Sequence, residues 1–285
     1  MSAGWRSVAL LVALLLAGCS STRLAYENAD VALRWRATSF LDVHGRQSDE
    51  LDAHIATFLA WHRRHALPKY AILAKEAATR IEQGPSRSDL VWGYDVFLDQ
   101  VRESVRAAAT EVAGLLDALS PEQIAHLEER IAEDNRRFAE ENLDGTPRER
   151  REARRQRNVE RLEVWLGTLT EAQLDRVKRY SERVPLDDDL RDRDRRQRQA
   201  RLLAMVRTHE SRRKLADWAA GWDRNRDSAY EATYRRHVDE FLDMLADISR
   251  ELTPEQRRHW AERLRGLASD FTQLAKQGAA ETAVQ

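Results

Sequence analysis

One heptad stripe dominates this chain: between positions 91 and 119, apolar side chains recur every three or four residues without a break. Its members are Val91, Tyr94, Leu98, Val101, Val105, Ala108, Val112, Leu115 and Leu119. This spacing places all of them on one face of a long helix, which must bury that face against other helices. A second stripe consists of Tyr234, Val238, Phe241, Leu245, Ile248 and Leu252. No segment shows the sustained alternation of a strand, so the sequence predicts an all-α protein, an elongated multi-helix bundle of helical hairpins.

The composition excludes several other classes of protein. The 285 residues include only 11 Gly and 6 Pro, too few for an all-β or disordered chain, and 33% charged residues are too many for a polytopic membrane protein. The formal net charge is −1, so we expect no binding of nucleic acid. The single cysteine can form neither an internal disulfide nor a thiolate zinc site.

Residues 1–18 have the features of a lipoprotein signal peptide. Arg6 precedes an apolar run over residues 8–16, which as a helix is about 13 Å long and too short to cross a bilayer core of about 30 Å. The run ends in Leu16-Ala17-Gly18-Cys19, which resembles a bacterial lipobox. The resemblance implies cleavage before Cys19 and acylation of its thiol. Because Ser20 rather than Asp follows the cysteine, it also implies an anchor in the outer membrane, facing the periplasm.

Two stretches of the mature chain are dominated by charge. Residues 148–161 hold seven arginines, and residues 187–201 mix aspartate with arginine. The arginines could bind phosphate or lipopolysaccharide headgroups; alternatively, they belong to a solvated helix face or to a helix that crosses between packed units. The helical lipoprotein domain over residues 19–285 could then consist of two lobes, at about 24–144 and 186–278, joined by charged helices.

Three short segments share one pattern for starting a helix. They are Leu119-Ser120-Pro121-Glu122-Gln123, Leu169-Thr170-Glu171-Ala172-Gln173 and Leu252-Thr253-Pro254-Glu255-Gln256. In each, Ser or Thr caps the helix, and Gln three residues later can bond back to the backbone N–H of the cap. The leucine before the cap can pack on Ile124 or Leu174, whereas Arg257 takes that place in the third copy. The first and third copies match further at an offset of 133 residues, which indicates an internal duplication or convergence on one good turn.

Histidines are the candidate metal ligands. His126 and His259 occupy equivalent places in the two matching copies, and His62 and His65 lie one turn apart beside Trp61. Two histidines at this spacing can share a metal ion; the alternative places both on a solvated face with Trp61 pointing inward. A single histidine in each copy supplies too few ligands for a metal ion, so the sequence predicts neither a metal nor a cofactor.

The sequence offers no catalytic set. It has no Gly-rich phosphate loop, no GxSxG elbow and no HExxH motif, and nothing supplies the paired acid and base of a hydrolase. We therefore expect a protein that is not an enzyme. Trp218 and Trp222, four residues apart, could line a glycan or client groove, or they could anchor helix packing.

Two resemblances to known families concern function. The Leu-[Ser/Thr]-x-x-Gln turns resemble those of Spy-type periplasmic stress chaperones, which shield unfolded clients without ATP. Most of the chain is similar to a family of uncharacterised proteobacterial α-helical lipoproteins, catalogued as a domain of unknown function. That similarity rests on residues 24–45, residues 61–70, the Leu119 turn and residues 163–166. It implies a helical domain anchored to the outer membrane and brings no activity with it.

These observations together favour a non-catalytic binding or scaffold protein of the cell envelope. Acylated Cys19 would hold it to the lipid bilayer, and an envelope protein would be its partner. The alternative is an ATP-independent envelope-stress chaperone or sensor, as the Leu-[Ser/Thr]-x-x-Gln turns suggest.

Overall fold

A computed structural model describes the backbone of residues 19–224 and 226–283, and the side chains of residues 22–224 and 226–277. The predicted signal peptide at residues 1–18 lies outside the described residues, as does the side chain of Cys19. The helices are α1 (Cys19–Glu27), α2 (Ala29–Leu41), α3 (Arg46–Trp61), a π-helical turn (His62–Ala66), α4 (Leu67–Gln83), α5 (Arg87–Asp117), α6 (Pro121–Asn142), α7 (Pro147–Leu166), α8 (Glu171–Arg183), α9 (Asp188–Arg207), α10 (Ser211–Ala220), α11 (Ser228–Arg250) and α12 (Pro254–Ala283). The described part contains no strand. The prediction of an all-α multi-helix bundle is confirmed.

Capping boxes start many of these helices. At Ser86, Ser120, Thr146 and Thr170, the side chain accepts a hydrogen bond from the backbone N–H three residues on, and the residue there bonds back. Thr253 makes the same exchange with Gln256 at the start of α12. The three turns singled out in the sequence thus start α6, α8 and α12. Pairing the first backbone N–H groups in this way fixes where each helix begins.

Two clusters of buried apolar side chains form most of the core. The first contains Leu41, Val43, Leu51, Ala109, Ala113, Leu115, Leu116, Leu119, Leu127, Ile131, Met205, Val206 and Leu215. The second contains Val159, Leu162, Leu166, Leu169, Val177, Tyr180, Val184, Met244, Ile248 and Leu252. The first cluster therefore takes residues from both suggested lobes, and the arginine-rich helix α7 contributes to the second cluster.

The most extensive helix contact is the one between α4 and α12. Small side chains lie in it, because Ala78 and Ala261 are fully buried and pack with Ile81, Trp260 and Leu264. Alanine allows two helix backbones to approach closely, so this pair joins the N-terminal part of the chain to its C-terminal helix. No helix in the described part has the length and apolar character needed to cross a bilayer.

The arginines of α7 contact the turn before α9. Arg154 donates from Nη1 to the carbonyl O of Val184 (2.8 Å) and from Nη2 to that of Pro185 (3.0 Å). Arg150 Nη2 lies 2.9 Å from Asp188 Oδ2. These arginines satisfy carbonyl groups and a carboxylate within the fold, so part of the positive charge of residues 148–161 has a structural role.

Candidate functional site

The capped turn at the start of α6 faces the start of α3. Gln123 donates from Nε2 to Gln47 Oε1 (2.7 Å) and to the carbonyl O of Asp42 (3.0 Å). Gln47 Nε2 in return lies 3.2 Å from Gln123 Oε1 and 3.3 Å from the carbonyl O of Ala118. We refer to these two glutamines and two carbonyls as the first glutamine clasp. Each glutamine bonds the side chain of the other glutamine. It also bonds the backbone carbonyl that lies five residues before that other glutamine.

The turns at the starts of α8 and α12 form a second glutamine clasp. Gln173 and Gln256 exchange two Nε2–Oε1 hydrogen bonds of 2.9 Å each. Gln256 also donates to the carbonyl O of Thr168 (2.9 Å), and Gln173 donates to that of Glu251 (3.3 Å). These carbonyls again lie five residues before the glutamines. Both side chains are buried, with Gln173 0% and Gln256 5% exposed.

The two clasps are equivalent parts of the molecule. Gln123 and Gln256 hold the same place in each, and they lie 133 residues apart, the offset at which the two sequence segments match. A buried apolar residue precedes every clasp glutamine by four positions: Val43, Leu119, Leu169 and Leu252. This shared pattern favours internal duplication over convergence. The clasps fix helix starts against each other and leave no side-chain amide free for a ligand.

Sequence reasoning missed Gln47 because α3 starts differently. Gly45 stands at the N-cap with a φ of 55° and no side-chain cap, so the Ser/Thr signature is absent. The signal that could have found it is the apolar residue four positions before the glutamine, here Val43.

The candidate metal ligands do not come together. His126 Nε2 lies 3.2 Å from the carbonyl O of Ser39 and so links α6 to α2. His259 is half-buried in the equivalent place on α12. Among residues with described side chains, no three His, Cys, Asp or Glu groups are placed to hold a metal ion.

The structure corrects our expectation for the exposure of His62. We expected His62 and His65 on one solvated face or at one metal ion, but His62 is buried and His65 is exposed. The cause is the π-helical turn, whose extra residue shifts the register so that both His62 and Leu67 face inward. The turn precedes Pro68, which lacks the N–H that a regular helix would require there.

An aromatic cluster surrounds His62. The Tyr26 hydroxyl lies 2.9 Å from His62 Nδ1, and the rings of Phe58 and Tyr70 have centroids 5.6 and 5.8 Å from the imidazole. Tyr70 also contacts the ring of Phe271, at 5.8 Å. The aromatic cluster thus joins α1, α3, α4 and α12. Burial lowers the pKa of His62 to about 4, so its ring is neutral near pH 7.

We expect the free energy of unfolding to fall as the pH drops from 6.5 towards 4. The unfolded chain protonates His62 near its ordinary pKa of 6.5, whereas the folded protein does so only near 4. The unfolded state is therefore favoured by up to about 3 kcal/mol across this window, with about 2 kcal/mol lost at pH 5. Urea unfolding between pH 7 and pH 4.5 measures the slope. His62→Phe should flatten it and His65→Phe should not; equal slopes in the wild type and His62→Phe would contradict the assignment.

The helix that begins at Cys19 is bound firmly to the rest of the fold. Thr22 is 3% exposed, and Arg23 donates to Gln273 Oε1 (2.5 Å) and lies 3.4 Å from Asp270 Oδ1. Burial raises the pKa of the Asp270 carboxyl, which Arg23 opposes. Together with Tyr26 in the aromatic cluster, these contacts hold α1 against α12. The packed fold therefore begins within one helical turn of Cys19.

A cleft of about 830 Å³ lies between α8, α11 and the start of α5. We refer to it as the arginine cleft, because five arginines and three carboxylates line it: Arg87, Arg176, Arg179, Arg183, Arg250, Glu182, Asp243 and Asp247. Each arginine has an acidic partner, as in the pairs Arg87–Asp243 (2.5 Å) and Arg183–Glu240 (3.1 Å). Arg183 and Arg250 remain more than half exposed. Such pairs are weak in water and can exchange partners with an incoming acidic group.

An apolar cleft of about 300 Å³ lies between α5 and α11. Its lining is Leu90, Tyr94, His237, Val238, Phe241, Leu242 and Leu245. His237 Nδ1 lies 3.2 Å from Asp187 Oδ2, and its Nε2 is buried without a hydrogen-bond partner among the described residues. Burial lowers the pKa of His237 and raises the pKa of Asp187. The charge of each residue acts against the shift that burial causes in the other. No Ser, Thr or Cys is among the residues that line this cleft.

The two tryptophans considered for a groove take part in packing contacts. Trp218 packs against the first core cluster, and the Arg198 guanidinium lies 5.2 Å from its ring centroid. Trp222 is half-buried, with Arg226 at 5.6 Å. Both tryptophans thus contribute to packing around α10.

Comparisons with known proteins give a family without an activity. No curated protein and no solved structure matches the chain. Residues 39–235 match a family described as a family of unknown function, DUF6279. The match covers more than half of the chain, from the end of α2 into α11. The protein therefore belongs to the DUF6279 family of unknown function.

Proposed function

We propose that this protein is a lipoprotein, anchored to the outer membrane by acylated Cys19 and facing the periplasm. Its helical domain acts there as a non-catalytic binding or scaffold protein for an envelope protein. The Leu16-Ala17-Gly18-Cys19 motif and Ser20 support the anchor and its membrane. The absence of a catalytic motif in the sequence supports a binding role.

One observation carries the proposal: the backbone is helical from Cys19 onward, and this helix, α1, is bound to α12. A lipid on Cys19 would hold the domain directly at the bilayer surface, because a linker does not separate the anchor from the fold. The contacts of Thr22 and Arg23 lie only three and four residues beyond the anchor. Attachment without a linker suits a protein that presents one fixed surface to a neighbouring protein in the envelope.

The arginine cleft is the surface that we propose for the partner. It is the larger of the two clefts that α11 lines, and it is lined by more arginines than carboxylates. An acidic segment of another protein could exchange with the carboxylates that now pair with these arginines.

Reversing the charge of the arginine cleft should weaken partner capture. We expect the double variant Arg183→Glu/Arg250→Glu to lower recovery of the partner from cross-linked envelopes by about tenfold or more, since like charges at an interface cost several kcal/mol. Arg213→Glu is the matched control, because Arg213 is as exposed as Arg250 and also pairs with an acidic residue three positions away. Quantitative mass spectrometry of the captured proteins measures the change.

The same experiment separates the two functional hypotheses. A few discrete envelope proteins, lost with the double variant and kept with Arg213→Glu, support a binding or scaffold protein. A broad set of unfolded clients, captured equally by the wild type and a mislocalised Cys19→Ala form, supports the chaperone instead. Equal capture of discrete partners by both charge variants would exclude the arginine cleft.

A further inference from the structure

We propose that the outer face of α1 and α2 rests on the bilayer surface, with Leu24, Val31 and Trp35 in the interfacial region. This inference rests on the proposed lipid anchor at Cys19 and adds a second, non-covalent contact with the same membrane. The contact would fix how the domain is oriented on the bilayer.

The three side chains are exposed to an unusual degree. Trp35 is 69% exposed, and Leu24 and Val31 are 62% exposed each. Large apolar side chains are normally buried, and a cluster of exposed ones marks an interaction surface. All three follow Cys19 within sixteen residues.

The three side chains also lie on one side of a nearly continuous helix. Asn28, with a φ of −104° and a ψ of 17°, joins the two helices; its side chain donates to the carbonyl O of Leu24 (2.7 Å), and its carbonyl O accepts from the N–H of Ala32 (3.2 Å). Residues seven and four positions apart share a helix face. Leu24, Val31 and Trp35 therefore form a stripe, which we refer to as the apolar stripe.

The fold prevents the apolar stripe from turning inward. α1 is held through Arg23 and Tyr26, as described above. α2 is held on its other sides, because Arg34 pairs with Asp52 (3.1 Å) and Arg36 pairs with Asp134 (3.3 Å). No side chain in the described part of the chain therefore buries the stripe.

Position relative to Cys19 identifies the bilayer as the occupant. Leu24 lies five residues beyond the anchor, which is about 8 Å along a helix, and Trp35 lies about 24 Å along it. By helical spacing, position 19 shares a face of α1 with Arg23 and Tyr26 rather than with Leu24. Acyl chains on Cys19 would therefore enter the bilayer around the start of the helix, and α1 and α2 can then lie along the surface with the stripe beneath them. Tryptophan is the side chain that favours this interface most, and apolar side chains of a surface helix reach about 5–10 Å into it.

The contact should not depend on lipid charge. Arg34, which flanks the stripe, is already paired with Asp52, and Glu27 and Asp30 lie nearby on the same helices. These groups leave no positive excess to attract anionic lipids, so apolar contact supplies the attraction. Vesicles of zwitterionic phosphatidylcholine are accordingly a sufficient probe.

Single labelled cysteines in the lipidated protein test the proposal. Because Cys19 is the only cysteine and acylation would occupy its thiol, Val31→Cys and Trp35→Cys each provide one free thiol for an environment-sensitive fluorophore. Arg250→Cys is the control, since Arg250 is equally exposed but lies next to the second glutamine clasp. Gln256 in that clasp and Gln273 beside Arg23 are seventeen residues apart on α12, about 25 Å.

In phosphatidylcholine vesicles that contain a nitroxide-labelled lipid, labels at positions 31 and 35 should be quenched about twofold or more, and a label at position 250 should be unaffected. Equal quenching at all three positions would overturn the proposal. The proposal would also be overturned if the emission of a label at position 35 changed with the amount of protein bound per vesicle but was not quenched by the nitroxide lipid. That result would identify a second copy of the chain as the occupant. A failure of the anchor itself is distinguishable: the wild-type protein would then take up the thiol label at Cys19.

Discussion

Replacing Cys19 with alanine is expected to remove the protein from the outer-membrane fraction. The proposed modification supplies several acyl chains, and each buried CH₂ contributes about 0.8 kcal/mol to membrane binding. The apolar stripe alone presents three side chains, so it cannot replace such an anchor. We expect recovery in outer membranes to fall by about a hundredfold, as measured by density-gradient fractionation together with labelled-fatty-acid incorporation.

A second substitution separates acylation from sorting. Ser20→Asp keeps the acylated cysteine and introduces the residue that marks inner-membrane retention in lipoproteins of this type. The variant should incorporate fatty acid like the wild type but sediment with the inner membrane. Unchanged outer-membrane recovery and labelling of Cys19→Ala would contradict the proposed anchor.

Gln173→Ala is expected to destabilise the folded protein strongly. The change removes the 2.9 Å exchange with Gln256 and the bond to the Thr170 N–H, and it leaves the carbonyl O of Glu251 without its side-chain donor. A buried polar group that loses its partner costs about 1–3 kcal/mol, so we expect the free energy of unfolding to fall by about 3–4 kcal/mol. Urea unfolding at pH 7 measures it.

The matched control and a double variant make the prediction specific. Gln156 is an exposed glutamine of α7 that bonds only Glu160 in the same helix, so Gln156→Ala should cost about 0.5 kcal/mol or less. Gln173→Ala/Gln256→Ala should cost at least about 1 kcal/mol less than the sum of the single changes, because both remove the same bonds. Additive losses, or a Gln173→Ala loss no larger than that of Gln156→Ala, would show that the second glutamine clasp does not couple the two turns.

The helix starts could be predicted because their determinants are local. Ser120 and Gln123, or Thr253 and Gln256, lie within one turn of each other, and their exchange of bonds follows from the spacing alone. The clasps could not be predicted, since Gln173 bonds a residue 83 positions away. The sequence is the same whether a glutamine side chain only caps its own helix or also bonds another helix. Only the tertiary structure distinguishes the two cases.

The burial of His62 shows a second limit of sequence reasoning. A regular helix through residues 61–67 would place His62 and His65 near each other on the surface, and one π-helical turn changes that register. The apolar stripe shows a third limit. Leu24, Val31 and Trp35 have the composition of core residues, and only the packing of α1 and α2 reveals that nothing in the described part of the chain covers them.

An internal duplication would give these details one explanation. Each glutamine clasp joins two helix starts, and each lies beside one of the two core clusters. One ancestral unit that was copied within the chain would produce both. The N-terminal copy then carries the additional features: α1, the aromatic cluster and the apolar stripe. These are the elements next to the proposed anchor, which is where a membrane-bound protein would need them.

The central claim, that Cys19 is a lipid anchor attached directly to the fold, is tested most directly by intact mass spectrometry of the protein extracted from outer membranes. The account predicts a chain that begins at Cys19, lacks residues 1–18, and carries a diacylglyceryl group and an N-acyl chain on that residue. A chain that retains residues 1–18, or one with a free thiol at Cys19, would contradict it.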